Sequence, residues 1–192
     1  MHRRSLPLAF AAGALVLALA GCAAASATGA TGATGVTAPP VSDSAELGPE
    51  DGYIALGDSV RLTDDVPAVT KLDSSLRDAL ERADAAAEAR HVEITLVAGW
   101  RSARFQQYLF DEAVTKYGST AEASRWVKPV NESLHQQGKA VDIATADAMD
   151  FLSRFGGPFG LCQTYANESW HFELTADSAG QCPPQLLDST AG

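Results

Sequence analysis

The chain has 192 residues, of which 46% are apolar, 20% charged and 7% aromatic, a composition that suits one globular domain and excludes a disordered tail or a repeat array. Lys and Arg number 14 against 24 Asp and Glu, a formal charge of −10. Proteins that hold nucleic acid by neutralising phosphates are usually basic, so no nucleic-acid partner is expected. The cysteines, Cys22, Cys162 and Cys182, form neither a CxxC pair nor a Cys/His finger.

Arg3 and Arg4 precede an uncharged apolar run from Leu6 to Gly21, the order of a secretory signal. The run is roughly 16 residues, short of the ~20 that span a bilayer. It ends in Leu19-Ala20-Gly21-Cys22, which resembles the lipobox of bacterial lipoproteins. That resemblance implies a signal peptide over 1–21, lipidation of Cys22, and an anchor on the extracytoplasmic face of a bacterial cell membrane. Loss of the signal removes two arginines and no acid, so the mature chain carries −12. After Cys22, residues 23–50 are mostly Ala, Thr, Gly, Ser and Pro with no aromatic and almost no large aliphatic side chain, and 22–50 reads as a lipidated cysteine and flexible tether. The folded domain is expected over 51–184, with a short tail over 185–192.

Within the domain, Leu72, Leu76, Ala79, Leu80, Ala83 and Ala87 recur at spacings of three and four, which predicts an amphipathic helix from Lys71 to Arg90. Glu93 to Ala98 is rich in β-branched residues and stops at Gly99, as a strand does. Ala103 to Tyr117 returns to helical spacing and Gly118 ends it. A short strand is predicted over 140–144, a helix over 146–155, a break at Gly156-Gly157-Pro158, and a strand from Trp170 to Leu174. Helices and strands alternate without a regular βαβ repeat, so the expected class is α+β.

Two histidines stand in chemically suggestive company: His135 in Ser133-Leu134-His135-Gln136-Gln137-Gly138-Lys139-Ala140-Val141-Asp142, and His171 in Glu168-Ser169-Trp170-His171. Two imidazoles and a carboxylate suit zinc and leave a fourth position for water. Hydrolysis of an amide also needs a nearby carboxylate to take a proton from that water and pass it to the leaving amine. Glu168 is placed for that. The pattern SxHxxGxAxD followed by ExWH resembles the VanY-type D-alanyl-D-alanine carboxypeptidases, zinc peptidases of the hedgehog/D,D-peptidase fold. Gly99-Trp100-Arg101-Ser102 with Gln106 resembles the family's GYRS…Q segment, and together the likeness spans about residues 66–175.

The resemblance implies a small antiparallel sheet flanked by helices. It assigns His135, Asp142 and His171 to Zn2+, Glu168 to the base, and Arg101 to stabilisation of the oxyanion and contact with substrate. Gln106, Ser133 and Trp170 would line the cleft. The implied substrate is a peptidoglycan stem peptide ending in D-Ala-D-Ala. An L,D-carboxypeptidase, a D,D-dipeptidase or an endopeptidase of the same family is the alternative, and a non-catalytic, zinc-stabilised binding lipoprotein is the alternative of another class. Such a binding module would have no need of Glu168. Two positions depart from the family: Trp100 replaces Tyr or Phe, and Ser169 replaces the Pro that commonly precedes the tryptophan.

From Arg101 to Lys139 the local charge is +2, against −14 for the rest of the mature chain, which suits a peptide with a free carboxylate. Cys162 and Cys182 remain after lipidation and are expected to pair on the oxidising side of the membrane. Ile54-Ala55-Leu56-Gly57-Asp58-Ser59 resembles the opening block of GDSL esterases. Those enzymes need Asp-x-x-His near the C-terminus; the chain offers Glu168-x-x-His171, so Ser59 is read as part of a turn.

Overall fold

The structure, a computed structural model, describes residues 47–191. The proposed signal, Cys22 and residues 22–46 of the tether lie outside the described residues. In chain order the elements are β1 (Val60–Arg61), α1 (Pro67–Thr70), α2 (Ser74–Glu88), β2 (Thr95–Ala98), α3 (Ala103–Tyr117), α4 (Thr120–Ala123), β3 (Ala140–Ile143), α5 (Ala146–Phe155), β4 (Leu161–Gln163) and β5 (His171–Leu174). The strands form one sheet in the order β1-β2-β3-β5-β4, antiparallel throughout. The class is α+β, a small antiparallel sheet with flanking helices.

Local chemistry sets the helix ends. The Asp73 carboxylate accepts from the Ser75 N–H at 3.0 Å, so α2 begins three residues later than the apolar spacing suggests. Residues 67–70 form a separate turn opened by Pro67. Ser102 and Thr145 cap α3 and α5 in the same way, and Gly118 closes α3 at φ 80°, in the left-handed region where glycine carries no Cβ penalty.

In β3 and β5 the two-residue period separates core from site. Val141, Ile143 and Phe172 join Leu96, Leu161 and the inner faces of α2 and α5 in the hydrophobic core. Ala140, Asp142, His171 and Glu173 occupy the other face, with Asp142 opposite His171 and Ala140 opposite Glu173. Every residue of β3 is buried because both faces are covered.

The folded unit is longer at both ends than 51–184. Pro49–Asp51 forms a helical turn rather than tether. Asp51, buried, accepts from the Ser102 hydroxyl at 2.7 Å and pairs with Arg104. At the other end Cys162 and Cys182 form a disulfide, and the chain beyond it packs back instead of trailing as a tail. Leu186 exchanges backbone hydrogen bonds with Thr164 and Ala166, Asp188 pairs with Arg125 at 2.8 Å, and the Ser189 hydroxyl donates to the Ser124 carbonyl. These polar anchors are invisible to hydrophobic periodicity, which explains the short boundary. Among the described residues, no helix is long and apolar enough to cross a membrane.

Candidate active site

Three neighbouring strands and two loops deliver the site. Asp142 and His171 face each other across β3 and β5, and cross-strand neighbours on one face bring their Cβ atoms within about 5 Å. His135 enters from the loop before β3, whose return is shaped by Gly138. That residue has φ 69°, and its carbonyl receives the Asp73 N–H at 2.9 Å. An added Cβ would lie 2.5 Å from the Lys71 carbonyl oxygen, so the turn requires glycine. Arg101 follows β2, and Glu168 lies in the turn leading into β5, where its carbonyl accepts the His171 N–H.

The inward atoms form a nearly equilateral triangle. His135 Nε2 is 3.3 Å from His171 Nδ1, His171 Nδ1 is 3.2 Å from Asp142 Oδ1, and His135 Nε2 is 3.3 Å from the same oxygen. A tetrahedral metal with bonds of about 2.0–2.1 Å has ligand-to-ligand edges of about 3.3 Å. The outer nitrogens fix the tautomers. His135 Nδ1 lies 2.9 Å from the Gly99 carbonyl, which only accepts, and His171 Nε2 lies 2.8 Å from a Glu173 carboxylate oxygen. In their neutral forms both rings therefore turn lone pairs toward Asp142, and the three-residue group fits a metal ion.

Residues 69–156 match the VanY family, described as D-alanyl-D-alanine carboxypeptidase. The chain's fold is similar to that of the vancomycin-resistance D,D-pentapeptidase VanY from a VanB-type cassette, solved with Zn(II), at 25% identity and a TM-score of 0.51 over 60% of this chain and 77% of that one. VanYB in complex with D-alanine-D-alanine aligns at 24% identity and TM-score 0.54, covering 67% of this chain and 84% of the other. The LdcB LD-carboxypeptidase aligns at 23% identity and TM-score 0.50, over 69% of each chain. No curated protein sequence matches the chain.

One cleft is lined by Arg101, Ser133, Glu168 and Trp170 beside the triangle. Burial pushes the Glu168 carboxyl up to about 7, and its buried Oε1 has no hydrogen-bond partner. Asp142 is held well below the usual carboxylate range, because His135, His171 and Arg101 outweigh its burial. Burial lowers His135, with Arg101 adding to the effect. Against its own burial, His171 is pushed up to about 9 by hydrogen bonds to Asp142 and Glu173. The centre thus attracts positive charge, and without a metal it keeps a proton.

Arg101 is committed differently from a freely exposed oxyanion donor. Its Nη2 bonds Asp142 Oδ2 at 2.6 Å and its Nη1 reaches Gln106 Oε1 at 3.4 Å, while the buried Nε has no partner. Gln106 is 1% exposed and donates to the Lys128 carbonyl at 2.7 Å, so its amide braces the cleft wall. Trp100 carries Lys71 over its ring. Ser59 is exposed just past a turn at Gly57, and among the described residues it has no place in the cleft.

Three site features escape the motif reading. Gly99 orients His135 through a backbone carbonyl, which no side-chain pattern reveals. Glu173 is buried against His171, and its only signal is the two-residue step from His171 along a strand. Tyr165, its ring centroid 5.2 Å from that of His171, is pushed up to about 12 by burial and by Glu173 and Glu168.

Proposed function

We propose that this domain is a zinc carboxypeptidase that removes the terminal D-alanine from peptidoglycan stem peptides ending in D-Ala-D-Ala. His135, Asp142 and His171 would hold the ion, and zinc there would supply Lewis acidity that makes water nucleophilic near neutral pH. The observation that carries the hydrolytic reading is Glu168: a buried carboxyl with a free oxygen, its pKa raised by burial, in the same cleft as three inward-facing ligand atoms. A general base works best when its pKa lies near the operating pH. Glu168 accepts the proton of the attacking water and returns it to the departing amine. Arg101 holds Asp142 through Nη2, and its guanidinium charge in the cleft wall favours charge developing on the scissile carbonyl oxygen. Ser133 and Trp170 shape the wall against which the peptide lies.

The Zn(II) bound by VanY and the D-alanine-D-alanine bound by VanYB support this reading. The lipobox-like Leu19–Cys22 segment supports placing the activity at the outer membrane face, within reach of the wall. The test is D-alanine release from a pentapeptide stem, measured with metal content. Wild type is expected to carry one zinc and lose release under chelator. Glu168→Gln should keep zinc and lose turnover by about 10²–10⁴-fold, whereas His171→Ala should lose both. Unchanged turnover in Glu168→Gln would remove the mechanism, and a metal-bearing chain inactive on any stem peptide would point to the binding role.

A further inference from the structure

The two imidazoles of the triangle are braced unequally. His135 gives its outer N–H to a neutral backbone carbonyl at 2.9 Å, whereas His171 gives its own to a carboxylate at 2.8 Å. That carboxylate belongs to Glu173, which is 6% exposed, an environment in which an acid is seldom found without a specific partner. Glu173 is not a candidate ligand: it bonds the ring nitrogen opposite the one that faces Asp142. Its position follows from the strand, since residues two apart on β5 share the face that also carries Asp142 from β3. The Tyr165 ring packs beside the same imidazole, its centroid 5.2 Å from that of His171.

We propose that Glu173 is the positioning residue of the metal centre, fixing His171 with Nδ1 toward the ion and, through its negative charge, making that nitrogen the stronger imidazole donor of the pair. This rests on the metal reading of the site. An anion on the far side of an imidazole strengthens the lone pair on the near side and holds the ring plane, and losing such an outer partner typically costs 10–100-fold in metal affinity.

The experiment compares the full chain with Glu173→Gln and Glu173→Asp. Zn2+ affinity is read by competition with a chelator of known strength, and the visible spectrum is read with Co2+ in place of Zn2+. Glu173→Gln keeps the shape and removes the charge; Glu173→Asp keeps the charge and shortens the reach. Both are expected to weaken Zn2+ by about 10–100-fold and to change the Co2+ absorption, because the geometry at His171 changes. A purely structural role would lower the melting temperature of the metal-free protein and leave affinity and spectrum alone, which overturns the proposal. Should Glu173→Gln fail to fold, Glu173→Asp decides alone on the same readings. If the wild-type chain binds no Zn2+, the metal reading itself falls and this inference falls with it; if wild type binds and the variants match it, only the role of Glu173 is lost.

Discussion

Glu168 joins the chemistry to a measurable cost. Its carboxyl, ordinarily near 4.5, titrates at about 7 in the folded metal-free domain because burial disfavours its charge. A raised acid binds its proton more tightly in the folded than in the unfolded chain, so its share of stability is intact below about pH 4.5. That share is lost progressively as the pH rises to about 7. Glu168→Gln has no charge to bury. Chelator-treated wild type should therefore lose melting temperature relative to the variant between pH 4.5 and 7.5, and parallel curves would show that Glu168 does not titrate in this window. The group that could act as a base was legible as a residue type three positions before His171, but its usefulness comes from burial, which no spacing encodes. The same holds for Arg101. The motif marks it, and only the folded chain couples its guanidinium to Asp142. Glu173 lies at the far limit of legibility, since a buried acid on a strand looks in sequence like a solvent-facing one.

The helices follow closely from their patterns because caps and periodicity agree. Helix α3 runs from Ala103 to Tyr117 and α5 from Ala146 to Phe155, where the spacing places them. The exceptions have a common cause. β1 and β4 are two and three residues long, too short for alternation to register, and both lie at the sheet edges. Helix α2 carries the largest share of helical core, with Leu76, Ala79, Leu80, Ala83 and Ala87 all buried. Leu80→Ala should cost about 2–5 kcal/mol, and Asp73→Ala, which removes the cap, about 1 kcal/mol. The two should differ in kind. Asp73 also donates its own N–H to the Gly138 carbonyl, a bond that alanine keeps, so its substitution should leave the His135 loop and metal affinity in place. Denaturant unfolding together with zinc titration separates these outcomes, and a loss of zinc in Asp73→Ala would mean that the cap, not the backbone bond, holds the loop.

At the scale of the whole domain, the disulfide and the segment after it act as one device. Cys162 lies on β4 beside the strand that carries His171, and Cys182 is 20 residues on. Closing a loop of that size contributes about 3 kcal/mol in the chain-entropy account, or roughly 6–12 °C in melting temperature for a domain of this length. The bridge also fixes where residues 186–189 return across the domain to Arg125 and Ser124. Ser189 there reaches the wall of the cleft. The metal triangle does not depend on that segment: its three residues come from β3, β5 and the His135 loop. Reduction, or Cys182→Ser, should therefore lower the melting temperature by that margin and raise KM for the stem peptide more than it lowers kcat, while zinc content stays at the wild-type level. Loss of zinc on reduction would place the bridge in the support of β5 itself, and an unchanged KM would show that the returning segment packs beside the cleft without shaping what enters it.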